Sequence, residues 1–178
     1  LGADAGTAPS ALGTGERLDA VVLALAGLRR IGLDAHATDV LDPAIMMPAP
    51  SQGALAIETR DEDDPLLHAL LGVLNHRPTA LAASAERAVL SALGAGCAAP
   101  VGACARVDEA SSALLLDARV MSVDGCERVE ASGALELTDA VGLDEAARLG
   151  EDVARQLLAR GAAEVTDLGA TKTPRRPS

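Results

Sequence analysis

The sequence has 178 residues and a net charge of −11, from 15 Lys and Arg against 26 Asp and Glu, and it contains no Phe, Tyr or Trp. An acidic chain lacks the basic face that nucleic acids require, and without aromatic rings it has no platform on which bases could stack. No apolar run approaches the roughly 18–20 residues of a membrane-spanning helix. Because 49% of the residues are apolar, we expect a folded core, no nucleic-acid partner and no membrane span.

The cysteines, Cys97, Cys104 and Cys126, form no Cys-x-x-Cys pair, and the histidines have no metal-ligand spacing with them. An odd number of cysteines without a secretory signal predicts free thiols and a cytoplasmic location. The simplest interpretation of each cysteine is a small buried apolar residue. Since the chain begins with Leu1 and not Met, we also expect a part of a longer chain.

The first half of the sequence predicts two short buried strands separated by a helix. Residues 20–25, Ala-Val-Val-Leu-Ala-Leu, form a continuous apolar run that is typical of a parallel strand, and residues 26–33 favour a short helix. A second strand is expected at residues 54–58. The acidic turn at 61–65 then places negative charge at the start of a helix over 66–74, which suits the helix dipole.

The second half predicts a helix, three strands and a closing helix. The first helix is expected to begin with Thr79 as its N-cap and to end at Leu93, before Gly94. An Asp-Gly pair favours a hairpin turn between the second and third strands. The predicted elements are strands at 101–107, 114–123 and 128–132, a helix from Leu143 closed by Gly161, and a disordered tail at 169–178.

These patterns predict an α/β fragment followed by a small α+β domain, in which helices cover a three-stranded antiparallel sheet. Two strands do not make an independent sheet, so the first half is expected to be part of a larger α/β domain.

Three separate motifs resemble the porphobilinogen deaminase (hydroxymethylbilane synthase) family, and the resemblance extends from about residue 16 to 168. Their order and spacing also agree with that family. The motifs are LDAVVLALAGLRRIGL at 18–33, PAPSQGALAIE at 48–58, and AERA at 85–88 followed by GCAAPVGA at 96–103.

The resemblance implies a domain organisation and an activity. Residues 1–45 would be the end of a domain like those of periplasmic binding proteins, 46–75 a crossing segment that packs on another domain, and 76–168 the small domain that carries the cofactor. Family enzymes join four porphobilinogen molecules head to tail, with release of ammonia, in tetrapyrrole (heme) synthesis. The chain grows on a dipyrromethane cofactor in thioether linkage to a cysteine, which Cys97 matches. The full-length protein would be a cytoplasmic monomer.

The resemblance also implies cofactor-binding residues besides Cys97. Arg30 matches an arginine that binds a substrate carboxylate, and backbone groups near Leu23 and Ala24 match cofactor contacts. Gln52 and Gly53 match a pair that lines the cofactor cleft. From the residues alone, the Pro48–Gly53 stretch is equally an interdomain hinge, and Cys97 follows a helix C-terminus, where the dipole should raise the pKa of its thiol. Arg29 is expected to be a solvated charge.

The sequence departs from the family pattern at its N-terminal edge. Two arginines that bind carboxylates of the growing chain are absent from residues 2–12, which keeps open the alternative of a non-catalytic remnant that binds small anions or pyrroles. The family's catalytic aspartate lies in a domain outside these 178 residues. We therefore expect no catalytic residue and no metal ligand in this chain, and no activity from it alone. Arg87, next to the cysteine loop, could orient that loop, bind a carboxylate or pair with a neighbouring domain.

Overall fold

The structure is a computed structural model, and it describes residues 18–60, 64–96 and 98–169. Several sequence predictions lie outside these residues: the N-terminal departure at 2–12, the acidic positions 61–63, Cys97, and all of the predicted disordered tail except Gly169. The chain divides into two compact units, one ending at Leu41 and the other beginning at Asp42. Each unit is described by itself.

The first unit contains a short helix, α1 (Leu25–Arg30), followed by a 3-10 turn at Asp34–His36. The predicted strand at 20–25 is wrong, because residues 20–24 precede the helix without strand pairing. Val21, Val22 and Leu23 are each more than 60% exposed. An apolar run becomes a buried strand only beside neighbouring strands, and the described residues of this unit supply none.

The second unit begins with an irregular segment and a helix, α2 (Pro65–Leu74). The predicted strand at 54–58 is also wrong, since these residues pair with no strand in the described parts of the chain. The expected helix over 66–74 is confirmed. Asp64 is its N-cap and accepts a hydrogen bond of 2.8 Å from the Leu66 N–H, which agrees with the expected acidic start.

Helix α3 (Arg77–Leu93) leads into a three-stranded antiparallel sheet formed by β1 (Val101–Asp108), β2 (Ala113–Met121) and β3 (Arg128–Glu136), in that order. The predicted N-cap is wrong: the helix begins two residues before Thr79, and His76 is its N-cap. Pro78 lies in the first helical turn, where backbone N–H groups have no hydrogen-bond partner within the helix. The missing N–H of proline therefore costs no hydrogen bond there.

Two further helices complete the second unit: α4 (Leu143–Ala159) and the short α5 (Ala162–Val165), the latter not predicted. Alternating residues of β1 and β2 turn one face of the sheet toward α3 and α4, and the core lies between these layers. The largest fully buried side chains are aliphatic: Leu81, Val89, Leu114, Leu116, Val120, Val153 and Leu157. The predicted α+β domain with a three-stranded antiparallel sheet is confirmed. Among the described helices, none is both long and apolar enough to cross a membrane.

The layers approach closely because the helices meet at small residues. A Cβ atom added to Gly150 on α4 would lie 2.1 Å from the Ala85 carbonyl oxygen and 2.7 Å from the Ala88 Cβ on α3. The glycine therefore permits backbone contact between the helices.

Candidate functional site

The residues on either side of Cys97 are small: Gly94, Ala95 and Gly96 precede it, and Ala98 and Ala99 follow it. Helix α3 ends at Gly94, whose left-handed φ of 62° turns the chain out of the helix, and a Cβ added there would meet nothing within 4 Å. The Gly96 N–H donates to the Leu168 carbonyl over 2.8 Å, and the Ala99 N–H donates back to the Gly96 carbonyl over 3.0 Å. Backbone hydrogen bonds therefore hold residues on both sides of Cys97.

The other two cysteines differ from each other in burial. Cys104, on β1, is half-buried, and burial, with the nearby Glu86 charge, raises the pKa of its thiol. A raised pKa makes it a poor nucleophile at neutral pH. Cys126 is exposed near the β2–β3 turn, so its expected burial is wrong. Neither cysteine is disulfide-bonded.

The predicted residues Leu23, Ala24 and Arg30 belong to the first unit. Ala24 is the N-cap of α1, and its carbonyl accepts a 3.2 Å bond from the Leu28 N–H. Arg30 lies with Arg29 in the last turn of the helix, and both side chains are exposed. Neither guanidinium forms an ion pair with another residue in the described parts of the chain. An exposed guanidinium without an ion pair can bind a carboxylate from solution.

The predicted pair Gln52 and Gly53 lies in a tight turn of the second unit. The Gln52 N–H donates to the Ala49 carbonyl over 3.0 Å, and both Ser51 (φ 61°) and Gly53 (φ 93°) adopt left-handed backbone conformations. Such a conformation is costly for serine but not for glycine. The Gln52 side chain is exposed. The side-chain amide of Gln52 therefore faces solvent. The backbone of this turn needs support from residues outside the turn.

That support comes from Glu86, a residue whose role the sequence did not indicate. Its Oε2 accepts from the Ser51 N–H at 2.5 Å, and its Oε1 accepts from the Ala105 N–H on β1 at 2.6 Å. The side chain is 8% exposed, and burial raises the pKa of this carboxyl despite the two hydrogen bonds, which lower it. One pattern in the sequence does predict the burial of Glu86, although not its partners. Glu86 stands four residues from both Ala82 and Leu90, and both of these pack against the core.

Arg87 is exposed in a groove between α3 and α4, and it forms no ion pair with any described residue. Its three possible roles stay open.

The face of the sheet away from α3 and α4 lines a cavity of about 620 Å³ that includes Cys104. Its arginines are already engaged. Arg106 lies 3.1 Å from Asp117, Arg119 lies 2.6 Å from Glu130, and Arg160 donates to the Glu130 carbonyl. Each of these three guanidinium groups therefore has at least one acceptor within the second unit. Among the described residues no cluster of His, Cys, Asp or Glu could hold a metal ion.

Comparison with known proteins assigns both halves of the chain to one family. Residues 9–68 match the family described as "Porphobilinogen deaminase, dipyromethane cofactor binding domain", and residues 80–159 match "Porphobilinogen deaminase, C-terminal domain". The chain is 46% identical over 168 residues to the porphobilinogen deaminase of Cutibacterium acnes, which covers 90% of this chain and 50% of that protein.

Two other relatives give the same result. Identity is 49% over 158 residues to the porphobilinogen deaminase of Leifsonia xyli subsp. xyli, covering 85% of this chain and 47% of that protein. Identity is 44% over 156 residues to the porphobilinogen deaminase of Thermus thermophilus, covering 88% of this chain and 49% of that protein. The chain spans about half the length of the curated relatives it matches. By both family matches and by this identity, the chain belongs to the porphobilinogen deaminase family.

Proposed function

We propose that this chain is the cofactor-carrying part of a porphobilinogen deaminase, a transferase that joins four porphobilinogen molecules into hydroxymethylbilane. The observation that carries the proposal is the anchored loop of small residues on either side of Cys97, in a chain that matches both domains of the family. The alternative of a non-catalytic remnant is not favoured, because the relatives named above all carry the enzyme's name.

In this proposal Cys97 holds dipyrromethane through a thioether, because a thiol sulfur can capture an electrophilic pyrrole methylene. When bound, the cofactor supplies the pyrrole end on which the product is extended. Arg30 binds an acetate or propionate group of the substrate or the growing chain. The backbone near Leu23 and Ala24 and the turn at Gln52 and Gly53 line the cofactor cleft.

The domain limits belong to the same proposal. Residues 1–45 end an α/β domain of the periplasmic-binding-protein type, 46–75 cross to another domain, and 76–168 form the cofactor domain. The exposure of Val21, Val22 and Leu23 supports this arrangement, because an apolar run at the surface needs a covering partner. We further propose a cytoplasmic, monomeric full-length enzyme.

The test is a chimera in which these 178 residues replace the aligned half of the Cutibacterium acnes relative. The chimera, incubated with porphobilinogen, should form hydroxymethylbilane, detected as uroporphyrin after oxidation. Absence of product from a chimera that folds cooperatively would contradict the proposal, and the unaltered Cutibacterium acnes protein is the positive control.

A further inference from the structure

A single buried carboxylate joins three parts of the second unit. Glu86 belongs to α3, its Oε2 accepts from Ser51 in the Gln52 turn, and its Oε1 accepts from Ala105 on β1. Glu86 and Thr166 are the only buried polar residues within the described ranges. No described cation forms an ion pair with Glu86. When both oxygens of a buried carboxylate accept hydrogen bonds from backbone N–H groups, they fix the positions of those two backbone segments. This follows because each N–H bond donates along one direction.

Further contacts join the residues before and within the Gln52 turn to α3 and β1. The Ala103 N–H donates to the Pro48 carbonyl over 3.1 Å, and the Ser51 hydroxyl donates to the Ala83 carbonyl over 3.3 Å. Gly102 lets Met47 approach, since a Cβ added there would be 3.0 Å from the Met47 Cγ. The chain before the turn is thus held to the edge of the sheet, whereas the turn itself depends on Ser51 and its partners.

We propose that Glu86 is a positioning residue: it fixes the Gln52–Gly53 turn relative to β1, and so relative to the domain whose loop contains Cys97. The catalytic meaning of this role rests on the proposed function, whereas the structural link does not. The left-handed backbone of Ser51 is held through its N–H and its hydroxyl, so loss of the carboxylate should loosen the turn and displace the Gln52 amide.

Amide hydrogen exchange on the 178-residue chain tests the structural link. Glu86→Gln keeps the size of the side chain but replaces one acceptor oxygen by an NH2 group, which leaves Ser51 or Ala105 without an acceptor. We expect exchange at one of these two amides to rise about tenfold or more, with the β2 core amides unchanged. The side chain in Glu86→Asp is too short to reach both N–H groups, so exchange at one of the two amides should rise in this variant as well. The control is Glu151→Gln, an exposed carboxylate on α4. Unchanged protection at both amides would overturn the proposal.

Kinetics of the chimera test the catalytic role. Glu86→Gln should lower kcat/KM about tenfold or more, while intact mass shows the cofactor adduct retained and unfolding remains cooperative. If Glu86 acts through the turn, then Glu86→Gln combined with Gln52→Ala should cost no more than the larger single change. Additive losses, an unchanged kcat/KM or loss of the adduct would contradict the inference. An inactive chimera with Glu86 intact would instead contradict the proposed function.

Discussion

At the scale of single residues, Arg30 is the side chain that we propose to bind the substrate. A charge-assisted pair with a carboxylate contributes on the order of 1.5–3 kcal/mol, or ~10–100-fold in affinity. We therefore predict that Arg30→Leu in the chimera lowers product formation by ~10–100-fold with an unchanged melting temperature. The adjacent Arg29→Leu is the matched control, since both arginines are exposed on the last turn of α1. Equal effects of the two changes would show that the position of the charge is unimportant.

The buried carboxyl of Glu86 predicts a pH dependence of stability. Because its pKa in the folded chain is raised above the ordinary 4.5, its contribution is fully present below pH 4.5 and is lost as the pH rises through the folded value. The free energy of unfolding, measured by urea titration across this window, should fall with rising pH more steeply in the native chain than in Glu86→Gln. Identical slopes would contradict the assignment.

Three other carboxyl groups affect the free energy of unfolding over a different pH range. Asp108, Asp124 and Glu145 have pKa values lowered chiefly by hydrogen bonds from Ser111, Ser122 and the Gly142 N–H, respectively. Their contributions are present above their ordinary values of 3.8 to 4.5 and are lost as the pH falls through the lower folded values. Titrations at and above pH 4.5 therefore separate Glu86 from these groups.

The site could be predicted only in part. The family resemblance of the motifs implies roles for Cys97, Arg30 and the Gln52–Gly53 pair, and these roles stay predictions. The role of Glu86 could not be predicted, because its partners are backbone N–H groups of residues 51 and 105, which are brought together only by folding. The apolar stripe interrupted by a carboxylate was the one local signal.

At the scale of elements, the crossing of α3 and α4 depends on Gly150. A methyl group there would overlap the Ala85 carbonyl, which belongs to backbone and cannot rotate away. We predict that Gly150→Ala destabilises the chain by about 1–3 kcal/mol or more, measured by urea unfolding, because overpacking pushes the helices apart. Gly72→Ala, in exposed α2 with nothing within 4 Å of the added atom, should instead be neutral or stabilising by about 0.5–1 kcal/mol. A stable Gly150→Ala variant would contradict the described packing.

Two element predictions that depend on short-range patterns are confirmed, and two that require remote neighbours are wrong. The β2–β3 hairpin with its Asp-Gly turn, and the helix closed by Gly161, follow from short-range patterns, and both are present. The strands at 20–25 and 54–58 require neighbouring strands, which the described residues do not provide. The predicted N-cap at Thr79 is also wrong, although capping is a local feature, because the helix begins at Arg77 and Pro78 fits its first turn.

At the scale of the whole molecule, the proposed function divides the catalytic groups between this chain and the part of its relatives that it does not span. We predict that the 178 residues alone form no uroporphyrin above the uncatalysed background. A positioned acid–base group contributes roughly 10²–10⁴ in rate, and the family's catalytic aspartate is assigned to the part not spanned here. Measurable turnover by this chain alone would overturn that division.

Intact-mass measurement of the purified chimera tests the proposal that Cys97 carries the dipyrromethane cofactor. The chimera should carry a covalent mass increment equal to one dipyrromethane unit. That increment should persist in Cys104→Ser and Cys126→Ser and disappear in Cys97→Ser. An increment that survives in Cys97→Ser, or that is lost with either of the other two cysteines, would contradict the account.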